Sequence, residues 1–108
     1  MLDEFEVKRI VQMTIMELKK QELLRDAESV AYNEISKRLF RYYLGYRDDD
    51  LQSVMDEVKD DRYFNIITMF YFEGYTVEKI AEHLDVDVRT VSRNKKRLCL
   101  EIYMRLPI

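Results

Sequence analysis

Between Val88 and Arg105 the chain carries six basic side chains, Arg89, Arg93, Lys95, Lys96, Arg97 and Arg105, against one acid, Glu101. Thr90, Ser92 and Asn94 are interleaved with them. Side chains of this kind recognise rather than make or break bonds. An arginine guanidinium can donate two hydrogen bonds to O6 and N7 of guanine, and an asparagine carboxamide can pair with N6 and N7 of adenine. Hydroxyls and ammonium groups hold phosphate oxygens, which fixes register without reading sequence. On a helix that starts at Val88, the residues Arg89, Thr90 and Arg93 lie near the N-terminal end. Arg89, Arg93 and Asn94 are therefore candidates for base edges, and Ser92, Lys96 and Arg97 for phosphates. Asn94 suits a structural hydrogen bond better than a base contact, and Lys95 a flank where its stem covers apolar surface. A basic helix face taken alone is most often only solvated surface, so the assignment depends on the elements that would hold this one.

Those elements are legible just upstream. Thr76 is a natural N-cap for a helix of barely two turns, Val77 to Leu84. Four residues later Asp87 can cap a second helix, Val88 to about Leu106. Two helices joined by so tight a turn have the spacing of a helix-turn-helix. The apolar positions agree: Ile80 and Leu84 face a core, Ala81 is small where the second helix must cross closely, and Val86 and Val91 fill the angle between the two. Asp85 takes the turn position that usually holds glycine, at a modest cost because aspartate tolerates the left-handed region better than most residues. Asn94 stands where an apolar residue is common. Thr76 and the free amides at the start of the first helix are further candidates for a phosphate.

The run T-V-E-K-I-A-E-H-L-D-V-D-V-R-T-V-S-R, Thr76 to Arg93, resembles region 4 of bacterial sigma-70-type factors, and it is similar to the sigma-like phage regulators of the ArpU and RinA type. The resemblance runs from about Tyr71 to Ile102. It implies an all-α fold ending in a sigma-70 region 4-like helix-turn-helix. It also implies a sequence-specific transcriptional regulator of phage or prophage type, with double-stranded DNA as partner and RNA polymerase as a second candidate.

The remainder reads as helices that carry this unit, in a small domain of about six helices. Phe5, Val7, Ile10, Val11, Thr14, Ile15, Leu18 and Leu23 recur at helical spacing from Asp3 to about Arg25, with Met13 and Met16 widening the stripe. Ala27, Ala31, Ile35 and Leu39 mark a second helix, Asp26 to Leu44, stopped by Gly45. After the capping cluster Asp48 to Asp50, Leu51, Val54, Met55 and Val58 mark a third. Arg62 to Glu73 is apolar enough for a central core helix closed by Gly74. These patterns divide the chain into a helical region 1–60, for oligomerisation or protein binding, and a DNA-binding region 61–108. Charge divides likewise: Met1 to Asp61 holds 15 acidic and 10 basic side chains, although the whole chain has a net charge of only −3. The acidic part is expected to point away from DNA. Tyr42, Tyr43 and Tyr46 form either a core edge or an aromatic anchor for a partner.

Composition excludes other classes. Cys99 and His83 are the only residues of their kinds, so an internal disulfide, a cysteine zinc motif and a multi-histidine centre are ruled out. Without a glycine-rich phosphate loop or a nucleophile with an evident base, no enzyme and no cofactor are expected. The acidic N-terminus and the lack of a long apolar run point to an intracellular, cytoplasmic protein with no membrane partner. Leu98, Cys99, Leu100, Ile102, Tyr103, Met104 and Leu106 must pack on the N-terminal helices or on a second subunit. A homodimer would supply the affinity that one helix-turn-helix lacks. Two other functions fit the same residues: a phage DNA-packaging subunit, and a helical adaptor that binds protein only.

Overall fold

The computed structural model describes residues 3–12 and 22–107. Among these residues it contains six α-helices: α1 Glu4–Gln12, α2 Glu22–Tyr43, α3 Asp49–Val58, α4 Phe64–Ile67, α5 Val77–Leu84 and α6 Val88–Arg105. A wider π-helical stretch, Thr68–Phe72, continues α4. No strand occurs among the described residues.

Local chemistry sets the ends of these helices. The Asp3 carboxylate accepts from the Glu6 amide at 2.8 Å and opens α1. Asp48 accepts from Leu51 N at 3.1 Å and opens α3. It also holds Arg38 of α2 through two bonds of 2.9 and 2.7 Å, so one carboxylate caps a helix and ties it to its neighbour. At the end of α2, Gly45 takes φ +101°. There the amides of Gly45 and Tyr46 reach back to the carbonyls of Tyr42 and Arg41, the paired bonds that complete a helix C-terminus through a left-handed residue.

The larger core joins residues from both sides of position 60. Val7 of α1, Ala27, Ala31, Ile35 and Leu39 of α2, and Leu51, Val54, Met55 and Val58 of α3 pack with Ile67 and Tyr71. Leu98, Cys99, Ile102, Tyr103 and Leu106 complete it from the end of the chain. The apolar surplus of α6 is thus covered within the chain. Lys8 is buried against this core, where its ammonium donates to the Leu106 carbonyl and lies 5.6 Å from the Tyr103 ring centroid. A cation at the carbonyl end of α6 is favoured by the helix dipole. Desolvation nonetheless lowers the pKa of Lys8, with Glu4 acting in the opposite direction.

The structure departs from sequence expectation in three places. Glu22 to Arg25 belong to α2 and not to the end of the first helix, since nothing at Arg25–Asp26 breaks a helical backbone. Thr14, Ile15 and Leu18, with Met13 and Met16, lie outside the described residues. Phe5, expected on the buried stripe, is 60% exposed. Arg62 to Glu73 is not one regular α-helix: the Glu73 amide bonds to Thr68 O at 3.0 Å, five residues back, and the Thr68 hydroxyl donates to Asn65 O. That wider turn sits where one segment must serve two cores, with Ile66 and Met69 in one and Ile67 and Tyr71 in the other. Of the tyrosine cluster, Tyr42 is half-buried, while Tyr43 and Tyr46 are exposed. The Tyr43 ring stacks on Phe72 with centroids 6.5 Å apart.

Candidate nucleic-acid interface

The smaller core is made by Ile66, Met69, Ile80, Ala81 and Val91, with Val77, Leu84 and Val86 packed against it. It has one purpose in the architecture: it fixes α5 and α6 against the end of α4. Thr76 Oγ1 accepts from Lys79 N at 3.1 Å and opens α5. Asp85 adopts φ 56°, ψ 49° at the turn. There the Asp85 amide bonds to Glu82 O and the Val86 amide to Ala81 O, at 3.3 and 3.0 Å. This is the same left-handed closure as at Gly45, here made by an aspartate and locked when Val86 buries beside Ala81. Asp87 then accepts from Arg89 N at 2.7 Å and opens α6.

α6 emerges from this turn with only Val91 buried among its first ten residues. Arg89, Ser92, Arg93 and Lys96 are all exposed, and a repeat of three and four residues puts them on one face. Among the described residues, none of these three cations has an ion-pair partner. Thr90 is half-buried at the edge of this face. Thr76, also exposed, keeps its hydroxyl proton for an outside acceptor because its oxygen serves as the cap.

Asn94 and Arg97 are engaged within the fold. Asn94 Nδ2 donates to Thr90 O at 2.8 Å, and its Oδ1 accepts from Arg97 Nε at 3.1 Å. The two terminal nitrogens of Arg97 fork onto the Asp61 carboxylate at 3.0 and 2.9 Å. Asp61 in turn accepts from Tyr63 N at 2.9 Å, at the approach to α4. The chain Thr90–Asn94–Arg97–Asp61 therefore braces α6 against the segment that leads into α4. It also explains a polar residue at position 94: the amide back-bonds to its own helix on the edge of the core. The Arg97 guanidinium and the Tyr63 amide hold the Asp61 carboxyl below the ordinary carboxylate range.

Lys95 was legible in sequence only as a flank residue. Its ammonium turns inward, 3.7 Å from the Phe70 ring centroid and 5.5 and 6.0 Å from those of Tyr32 and Tyr71. An ammonium over aromatic faces gains about 0.5–2 kcal/mol depending on desolvation. These rings come from α2 and the π-helical stretch, so no local pattern around Lys95 announces them. Behind it, the Tyr71 hydroxyl meets Ser36 Oγ at 2.7 Å and Cys99 Sγ at 3.5 Å. Burial pushes the Cys99 thiol up to about 11 and the Tyr71 phenol higher still. His83 is exposed on α5, as its position suggested.

The model of one protein family, sigma-70, region 4, matches residues 60–101. The match begins at Asp60, takes in α4, α5 and most of α6, and covers less than half of the chain. No curated protein and no solved structure matches. The C-terminal unit is a sigma-70 region 4-like helix-turn-helix. No helix among the described residues is long and apolar enough to cross a membrane.

Proposed function

We propose that the protein is a sequence-specific transcriptional regulator that binds double-stranded DNA by inserting the first half of α6 into the major groove. The observation that carries this reading is the outward line Arg89–Ser92/Arg93–Lys96 on the second helix of a capped and braced helix-turn-helix. Arg89 and Arg93, close to the end that enters the groove, read base edges. Thr90, Ser92, Lys96 and the Thr76 hydroxyl hold phosphates. Asn94 and Arg97 we assign to bracing, since the Asn94 amide bonds within the fold through both its nitrogen and its oxygen, and most of the Arg97 fork is likewise engaged. The likeness to sigma-like phage regulators supports a phage or prophage setting, with RNA polymerase as a protein partner.

Selection of bound sequences from random duplexes tests this. Enrichment of a defined motif is expected, and a palindromic motif identifies two half-sites read by a homodimer. Failure to enrich any motif, with no duplex bound even at low salt, rejects the reading and leaves the protein-binding adaptor.

A further inference from the structure

The outward line on α6 stops abruptly. One turn beyond Lys96 on the same face stands Leu100, half-buried against the larger core, and beyond it Tyr103, buried. The element lying over them is α2. Lys96 shares a groove with Ser29, Tyr32 and Asn33 of α2. Tyr103, two turns further along α6, shares another with Val30, Glu34 and Arg38. α2 therefore crosses α6 where the cationic line ends and forms a wall at the end of the proposed recognition face.

We infer that this corner, formed by Ser29 and Asn33 of α2 beside Lys96 of α6, is a phosphate-binding extension of the DNA interface outside the helix-turn-helix. The inference rests on the DNA reading above. DNA lying against Arg89, Arg93 and Lys96 must run its backbone up to the wall, because α2 blocks any further advance along α6. The wall carries suitable groups at that point. Ser29 contributes a hydroxyl and Asn33 a carboxamide, both exposed and one helical turn apart, and Lys96 adds a cation. Hydroxyl, amide and ammonium donors are the usual partners of backbone phosphates. Charge is the second argument. Among the described residues no carboxylate lines this groove, whereas Glu34 borders both of two other grooves along α2. α2 carries four acidic and four basic side chains, and it turns a carboxylate-free patch to the place where it meets the basic line. On this inference one strip of the N-terminal part lies within reach of the DNA backbone.

The test uses the full chain and a duplex obtained by the selection described above, with affinity measured across a salt series. Asn33→Ala should weaken binding about fivefold, the effect of one lost hydrogen bond. Ser29→Asp should weaken it more by placing a negative charge at a phosphate. Ser29→Lys should steepen the dependence of log K on log salt by about 0.9, the increment for one added phosphate contact. Ser53→Lys adds the same charge on the exposed side of α3 and should leave the slope unchanged. If Ser29→Lys and Ser53→Lys share one slope, and Asn33→Ala and Ser29→Asp bind as the parent does, the corner is not a contact, while the helix-turn-helix assignment stands. A parent chain that binds no duplex overturns both.

Discussion

The two halves of α6 obey different physics on one continuous helix. From Val88 to Arg97 only Val91 is buried, and the surface is cationic. From Leu98 to Arg105, Leu98, Cys99, Ile102 and Tyr103 are buried, and Arg105 finds Glu57 and Glu101. The second half is held by hydrophobic burial, which is non-directional and strong. The first is held by Val91 in the smaller core and by directed bonds: the Asp87 cap, the Asn94 back-bond and the Asp61–Arg97 fork. A rod anchored in a large core by one end, and by the single residue Val91 in a small core at the other, can present the rest of that second end to a partner. Affinity and stability should therefore be separable by position along a single element.

Ile102→Ala should have the largest effect. Truncating a fully buried isoleucine costs about 2–5 kcal/mol, read as a lower midpoint in denaturant unfolding. A loss under 1 kcal/mol would mean that the second half is not the anchor. Arg89→Ala or Arg93→Ala should invert the pattern, costing about 1–3 kcal/mol in duplex affinity and relaxing base preference at one position. Its unfolding midpoint should stay within about 0.5 kcal/mol of the parent. A stability loss equal to the affinity loss would erase the distinction between the halves. Asp87→Ala removes the cap at the start of the exposed half and should cost about 1 kcal/mol of stability. Because it frays the part that meets DNA, affinity should fall as well.

The smallest expected effect is on the brace. The carboxyl of Asp61 lies below its ordinary value in the folded chain, so its contribution is fully present above about pH 4. That contribution is lost as pH falls through the lowered folded value. Arg97 is substantially exposed and the pair partly solvated, so it is worth at most about 1 kcal/mol. Asp61→Asn should be less stable than the parent at neutral pH, and the gap should close on acidification. A gap that persists at the acid end would show that Asp61 acts through something other than its charge. Cys99 offers a control within the buried half: with its thiol pushed up to about 11 and its side chain covered, alkylation at neutral pH should require unfolding.

The parts of the fold legible in sequence are those fixed by neighbours in the chain. Thr76 and Asp87 as caps, Asp85 in the left-handed turn, and the bounds of α3 and α5 follow from side chains that bond to backbone two or three residues away. The stripe Ala27–Ala31–Ile35–Leu39 is equally plain, because burial on a helix repeats with its own period. The exposed line of Arg89 and Arg93 belongs to the same class. The wide turn at Thr68–Phe72 was not legible, since it answers two cores at once.

What the chain alone determined, then, is the helical character of its segments, the helix-turn-helix and the face on which its arginines stand, since each depends on interactions within a few residues. Tertiary structure decided which of the remaining cations stay available. Lys95 turns toward rings from α2 and the π-helical stretch, and Arg97 closes on Asp61, whereas Lys96 between them stays exposed. Three consecutive basic residues differ in role because their partners lie far away in sequence, and only the packing of helices brings those partners within reach.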